Sequence, residues 1–593
     1  MTVSEFVISF LEKKGIKDIF LVSGGGIMYL LDAIYRNKNI RYCANFHEQA
    51  SATCAESYAR MKNGVSACVV TSGPGGTNAI TGVAAAWVDS IPMIVISGQV
   101  KKEIIADYTK SRQKGPQEIN IIDMVKPITK YAVQLLNPSD VQFNLQKAFY
   151  EATSGRPGPV WISIPLDVQN AEIEKSSFTQ FIPPRKKNIF DKKQFGKLTK
   201  LLKESSRPLI IAGNGIRLAG GIQILHKFIN NFKVPVVTDE NGLDMFSEDL
   251  PSYMGRYGPK GQRRANFVLQ NSDLIISIGA SLNVASTGFN RKDFGRNAKI
   301  IMVNIDKSEL EKDDMEIDLK INTDAAFFLK KIYEISRKLN VKFDKKWARA
   351  CSDWKNRYGI LDPLHLKKTN YVNSYYFVYK LSELLMSENT VVTGMGQDIV
   401  SIIQSFKIKK NQRLYVNKNF GQMGWCLPAG IGACLANNRK KTIVVTGDGS
   451  FQFNIQELST ISFNKLPLKI FVFNNEGYKS IRDTQNNLFK GRLVGADKNT
   501  GVINPDFKDI ASAYKLKYYC ISNNDEVEKK IRDVLKNNSP ALCEVNIEYN
   551  QERIPRTSTY QRKDGILESR PLEDLYPFLD RKEFNKNMNL FKK

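Results

Sequence analysis

The stretch "TIVVTGDGSFQFNIQELSTISFNKLPLKIFVFNNEG", Thr442 to Gly477, contains two apolar runs that each end in a polar turn. Thr442 to Thr446 are apolar or β-branched and read as a strand. Gly447–Asp448–Gly449 permit a tight turn, and Ser450 opens a helix. Lys469 to Phe473 form a second strand, closed by Asn474 and Asn475. Backbone N–H groups at such a strand–turn–helix junction make an anion site. A carboxylate placed there needs a hard cation between itself and the anion, and a diphosphate bridged by Mg²⁺ meets that need. In a parallel sheet both strand ends lie on the carboxyl edge, where ligands collect. Asp448 and Asn475 can then share one metal, with the backbone carbonyl near Gly477 as a further ligand. Gly447, Gly449 and Ser450 supply the diphosphate cradle.

Outward from this stretch the chain repeats one rhythm in three blocks. "GIKDIFLVSGG", "SACVVTSGPGG", "IPMIVISGQ" and "GPVWISIPLDVQ" mark four strands of the first block, with the helical "EQASATCAESYARMKNG" among them. "RPLIIAGNGIRLAGG", "VPVVTDENG", "DLIISIGAS" and "AKIIMVNIDKS" do the same for the second, and "NTVVTGMGQD", "IVVTGDGS", "KIFVFNNEG" and "PALCEVNIEY" for the third. Short buried runs with helix-length spacers predict an α/β protein of three doubly wound, mostly parallel sheets. The expected limits are 1–170, 186–345 and 365–550, followed by an arm over 551–593. "NAEIEKSSFTQFIPPRKKN" reads as a linker. Blocks one and three have similar size and rhythm.

Composition narrows the function classes. At 593 residues, 42% hydrophobic and 25% charged, the chain is globular and too long for a single core. The net charge of +26 is spread along the sequence, mostly as Lys, so it favours anionic small molecules rather than a nucleic-acid stripe. The first segment, with Glu5 and Glu12, reads as an amphipathic helix and not a signal peptide. No apolar run approaches the roughly 20 residues that span a bilayer. Eight scattered cysteines without a C-x-x-C pair predict reduced thiols and a cytoplasmic location. Three histidines, His47, His226 and His365, are too few for a histidine-rich zinc site.

With "GDGS…NN" in this setting, the sequence resembles the thiamine-diphosphate enzymes over nearly its whole length, and most of all their acetolactate-synthase-like members. "NFHEQASATCAESYARMKNG" resembles the family's pyrimidine-binding segment, which makes Glu48 the essential glutamate. A carboxyl group bonded to N1′ of an aminopyrimidine favours its imino tautomer, which can then take a proton from the thiazolium C2. "FGQMGWCLPAGIGA" is similar to the segment before the diphosphate motif and brings in Gly421, with Met423 as the apolar wedge under a bent coenzyme. "TGMGQD" matches the strand end that meets the diphosphate, implying Gly396 and Gln397. In "SRQKGPQEINIIDMVKPITKYA", Gln117 stands where a glutamine faces the substrate from a neighbouring subunit, although a solvated loop amide is the other reading. The resemblance implies thiamine diphosphate, Mg²⁺ and a homodimer or homotetramer. It further implies a 2-oxo acid, pyruvate foremost, joined to a carbonyl acceptor.

The chain also departs from acetolactate synthases. Ser281 and Ala285 stand where the central block should carry arginines, while Arg217 is retained, so FAD is left open. "GYKSIRDTQNNLFKGRLVG" and the tail "DGILESRPLEDLYPFL" resemble enzymes of surface-polysaccharide and nucleotide-sugar pathways, which keeps a keto nucleotide-sugar acceptor as an alternative. Lys479, Arg482, Lys490 and Arg492 either meet an anionic acceptor or are solvated helix charges. Aldehyde release, flavin-linked oxidation and a regulatory subunit also stay open.

Overall fold

A computed structural model of the chain describes every residue except 175–177, 185–190, 313–314, 340, 342, 367–369, 563, 566 and 592–593. Part of the expected linker therefore lies outside the described residues. The structure contains three six-stranded sheets in which every pairing is parallel.

The first sheet holds β1 (Asp18–Leu21), β2 (Arg41–Ala44), β3 (Ser66–Val70), β4 (Met93–Gln99), β5 (Tyr131–Gln134) and β6 (Pro159–Pro165). Their order is β2-β1-β3-β4-β6-β5. The second holds β7 (Pro208–Ala212), β8 (Val236–Thr238), β9 (Tyr253–Arg256), β10 (Leu274–Ile278), β11 (Lys299–Asn304) and β12 (Leu319–Asn322), in the order β12-β11-β10-β7-β8-β9. The third holds β13 (Thr390–Thr393), β14 (Leu414–Val416), β15 (Thr442–Gly447), β16 (Leu468–Asn474), β17 (Lys517–Ile521) and β18 (Ala541–Asn546), in the order β14-β13-β15-β16-β18-β17. Sheets one and three thus share one strand order, while the central sheet has the other common doubly wound order. In the arm, β19 (Thr559–Gln561) and β20 (Leu567–Ser569) form a small antiparallel ribbon.

Each block has two strands more than its apolar runs mark, and all six additions are edge strands: β2, β5, β9, β12, β14 and β17. Edge strands are short and buried on fewer sides, so a long apolar run is not required of them. In β2 only Cys43 is buried, β5 is half-buried throughout and β12 alternates buried with exposed.

The first and third blocks meet through two helices, Glu48–Lys62 and Cys426–Ala436, both almost wholly buried. They are rich in Ala, Gly, Ser and Cys, which lets the backbones approach closely. Ser57 Oγ donates to the Ala429 carbonyl at 2.6 Å, and Trp425 Nε1 donates to Glu56 at 3.2 Å. A Cβ on Gly432 would lie 2.1 Å from the Cys54 carbonyl oxygen. Rising numbers on one helix meet falling numbers on the other, so the pair is antiparallel. One apolar core runs unbroken across it, from Phe20 and Trp161 to Phe451 and Leu542. Asp89 ties in the central block, accepting from Arg60, from Asn241 Nδ2 at 3.1 Å and from Asn419 Nδ2 at 2.7 Å.

The crossing makes a prediction for stability. Gly432→Val must push the helices apart and should cost about 3 kcal/mol. Gly196→Ala, in an exposed helix where a Cβ meets nothing within 4 Å, should gain about 1 kcal/mol. Denaturant midpoints of the two variants measure both; equal midpoints would contradict the close crossing.

Candidate active site at the carboxyl edge of the third sheet

The register of β15 on β16 pairs Thr446 with Val472 and Gly447 with Phe473, which sets Asp448 beside the Asn474–Asn475 turn. Asp448 is 2% exposed and begins the short helix Asp448–Gln452. Its Oδ1 accepts from the Gly449 N–H at 2.7 Å. Its Oδ2 accepts from the N–H groups of Gly477 at 2.8 Å and Asn475 at 3.2 Å, and from Asn504 Nδ2 at 2.9 Å. Burial still pushes this carboxyl up to about 6, because only dipoles oppose it and no cation pairs with it among the described residues. Two glycines make the turn feasible. A Cβ on Gly449 would lie 2.3 Å from the Tyr478 ring, and Gly477 has φ +114° with no room for a Cβ beside the Ala496 carbonyl.

Arg482 braces the turn from behind. It is 1% exposed, donates to the carbonyls of Asn475 (2.7 Å), Glu476 (3.0 Å) and Tyr549 (3.1 Å), and lies 3.8 Å over the Tyr549 ring. It is therefore neither a solvated helix charge nor free to meet an acceptor, whereas Lys490 and Arg492 are exposed.

The neighbouring loops converge on the same edge. Gly396 follows β13 with φ +142°, and Asp398 beneath it accepts from Thr393 Oγ1 and the Gly394 N–H, both at 3.2 Å. Gln397 is buried, and its Nε2 donates to Ser374 Oγ at 2.9 Å; its Oε1 has no partner among the described residues. The segment carrying Gly421 (φ +71°) and half-buried Met423 is tied down through Gly424, whose N–H donates to Ser450 Oγ at 3.0 Å. Asn454 Nδ2 donates to the Gly424 carbonyl at 2.8 Å.

Glu48 opens the helix Glu48–Lys62, capped by His47, whose Nδ1 accepts from the Gln49 N–H at 3.1 Å. It is 8% exposed, and its Oε2 accepts from Asn78 Nδ2 at 3.0 Å. Its Oε1 adjoins Gly75 in the "SGPGG" turn, where a Cβ would lie 3.4 Å away. Gln117, exposed with φ +60°, presses its carbonyl onto Gly73 of that same turn. The two predicted residues of the first block thus share one loop. Within a single chain they do not meet Asp448. Glu56, eight residues further along the helix and so about 12 Å from Glu48, is the residue that touches Trp425 beside Gly424. The antiparallel crossing puts Glu48 and the Gly424–Ser450 bond at opposite ends of the helix pair.

Three family models match the chain in sequence order. The N-terminal TPP binding domain of thiamine pyrophosphate enzymes matches residues 1–124, the central domain 195–332 and the C-terminal TPP binding domain 394–545. A probable acetolactate synthase large subunit of Methanocaldococcus jannaschii is 32% identical over 576 residues, 95% of each chain. The chain belongs to the thiamine pyrophosphate enzymes of the acetolactate synthase type. It is likewise 31% identical to the acetolactate synthase large subunit of Cyanidium caldarium, over 95% of this chain and 96% of that one. With the chloroplastic acetolactate synthase 2 of Zea mays it shares 29% identity, over 95% and 88%.

Membership implies thiamine diphosphate with Mg²⁺, and the third sheet's edge fits both. Asp448 is a buried carboxylate lacking a counter-cation, the Gln397 Oε1 is orphaned, and Gly449 and Gly477 keep the turn clear. Among the described residues no three His, Cys, Asp or Glu side chains cluster as a metal site. FAD fits less well. A cavity of about 310 Å³ lies over the carboxyl edge of the central sheet, lined by Asn214, Asp239, Ser281, Asn304, Asp324 and Arg156 among others. Its one guanidinium, Arg156, is already held by Asp306 (3.2 Å) and Glu309 (2.7 Å). Ser281 lines the cavity without charge, Ala285 is exposed, and Arg217 is paired with Asp244. Among the described residues that line it, a flavin's diphosphate finds no free cation side chain.

As a Mg²⁺ ligand Asp448 would have to be ionised, and its carboxyl is raised to about 6, so coenzyme affinity should fall as pH drops through that value. Titration of thiamine diphosphate with Mg²⁺ should show about a tenfold loss per pH unit below 6 in the wild type. Asp448→Asn should bind weakly with little pH dependence, partly rescued by raised Mg²⁺. Wild-type affinity in Asp448→Asn, with only a lowered melting temperature, would reduce Asp448 to a helix cap.

Proposed function

We propose that this enzyme decarboxylates a 2-oxo acid, pyruvate foremost, and ligates the remaining two-carbon unit to a carbonyl acceptor. The observation that carries this reading is the buried Asp448 turn in a chain that matches acetolactate synthases end to end. The keto nucleotide-sugar alternative is not favoured by relatives named as acetolactate synthases.

Thiamine diphosphate supplies, when bound, a carbon nucleophile whose ring accepts the electrons left by departing CO₂. Asp448, Asn475 and the Gly477 carbonyl would hold Mg²⁺, and the N–H groups from Gly447 to Ser450, with Gly396, Gln397 and Gly421, would cradle the diphosphate. Met423 would support the bend. Glu48 would share a proton with N1′ of the aminopyrimidine, and its burial beside Gly75 keeps water from competing for it. Gln117 would orient substrate.

The separation of Glu48 from Gly424 within one chain supports a centre completed by a second copy, hence a homodimer or an assembly of dimers. Relatives named as large subunits support a smaller partner chain. No described helix is long and apolar enough to cross a membrane. The eight free cysteines fit a reducing, cytoplasmic setting. The domain limits we propose are 1–170, 186–345 and 365–550, with an arm over 551–593.

Pyruvate alone, with Mg²⁺ and coenzyme, should yield acetolactate. Acetaldehyde would instead identify a decarboxylase, and acetate with peroxide an oxidase. Glu48→Gln should keep its melting temperature and coenzyme affinity while turnover falls by about a hundredfold or more. Substantial residual turnover would remove Glu48 from this role.

A further inference from the structure

The Asn475–Gly477 turn lies between two buried charged side chains of opposite sign. On one side Asp448 Oδ2 accepts from the N–H groups of Asn475 (3.2 Å) and Gly477 (2.8 Å). On the other, Arg482 Nη2 donates to the Asn475 carbonyl (2.7 Å) and Nη1 to the Glu476 carbonyl (3.0 Å). The peptide unit joining Glu476 to Gly477 therefore spans the pair, with its carbonyl on the guanidinium and its N–H on the carboxylate. Asn475 is clamped in the same sense by its own N–H and carbonyl. Hydrogen bonds in series through one peptide polarise and strengthen each other in a buried setting. A flip of that peptide would set its carbonyl oxygen against Asp448 and its N–H against Arg482, so the two charges select one orientation.

The selected form is not one the chain adopts freely. Glu476 is a non-glycine residue with φ +59°, and its exposed side chain meets Lys498 at 3.2 Å. Such a backbone persists where the surroundings over-determine it. Arg482 is itself fixed: the Tyr549 carbonyl accepts from it, and the Tyr549 ring lies under it. Tyr549 Oη in turn donates to Asp497 at 2.6 Å, and the neighbouring Ala496 carbonyl accepts from the Tyr478 N–H at 2.8 Å. The contacts of Arg482 are thus carbonyls and a ring rather than a carboxylate, and its Nε has no partner among the described residues. A cation buried in this way costs stability that an apolar side chain of its size would not, so packing alone does not account for it.

We propose that Arg482 is a positioning residue for the metal, holding the Asn475–Gly477 turn in the form that presents the Asn475 side chain and the Gly477 carbonyl to Mg²⁺. This rests on the reading of Asp448, Asn475 and Gly477 as its ligands. Arg482 acts through the backbone carbonyls of Asn475 and Glu476. A guanidinium suits this role because its fork reaches two successive carbonyls at once, which a single ammonium does less well.

The test titrates Mg²⁺ calorimetrically into the full-length protein with saturating thiamine diphosphate, at a temperature where each variant is folded. Arg482→Met should weaken Mg²⁺ binding by about tenfold or more, as loss of a group that orients metal ligands does. Arg482→Lys, which keeps the charge but not the fork, should recover part of the affinity. A purely structural role would lower the melting temperature of the ligand-free variants and leave the affinity of the folded protein unchanged. Wild-type affinity in Arg482→Met, or an equal loss in both variants, overturns the proposal. Where Arg482→Met does not fold, Arg482→Lys decides: binding about threefold or more weaker than wild type supports the assignment, and equal binding overturns it. Wild-type affinity in Asp448→Asn would withdraw the metal site and this inference with it. None of these measurements uses turnover, so a protein that consumes no 2-oxo acid still tests the role of Arg482.

Discussion

Two helices of small residues cross with no space for a methyl group between them, and the placement of the site depends on that crossing. The Cys54 carbonyl against Gly432 brings the first and third sheets into one core. Neither helix can rotate or slide without breaking the bonds from Ser57 to Ala429 and from Trp425 to Glu56. The same contact fixes Glu48 at one end of the pair and the Gly424–Ser450 bond at the other. A fold that joins its two TPP-binding blocks this firmly holds these two ends apart within one chain.

The carboxyl edge of the third sheet stores unfavourable electrostatics for later use. Asp448 is ringed by N–H donors, yet its carboxyl is still raised by burial. A cation bound there would relieve this, so metal and diphosphate would stabilise the turn that holds them. Asp398 under Gly396 is raised by burial in the same way, and it too is compensated by backbone and hydroxyl donors rather than by a cation. Just beyond the turn, Lys479 and Arg553 share one carboxylate, Asp483.

The central strands were legible because a strand covered on both faces must be apolar throughout, as "TIVVTG" and "LKIFVFN" are. The six edge strands were not: "RYCA" and "LKIN" expose polar residues and resemble loops, while the buried β9 and β14 have only 4 and 3 residues. The turn chemistry of Asp448 and Asn475 was visible because glycine and asparagine are required at such positions. Asn504, Asn78 and Glu457 were not visible. Asn504 reaches Asp448 from a segment without motif or periodicity, and Glu457, which accepts from Asn45 and Phe46, looks like any helix carboxylate. The basic residues after the turn were legible as charges but not as partners. Only the fold shows that Arg482 faces inward.

The central claim, that Glu48 of one copy and Asp448 of another serve one coenzyme, can be tested by mixing two inactive variants. Glu48→Gln and Asp448→Asn are each prepared as folded protein, combined in equal amounts under conditions that allow subunit exchange, and assayed for 2-oxo acid consumption. In a mixed dimer one centre carries both substitutions and the other carries neither. Since half the dimers are mixed, about a quarter of wild-type activity should return. Activity no greater than the average of the two variants alone, after exchange has been verified, would place both residues in centres confined to one chain and contradict the account.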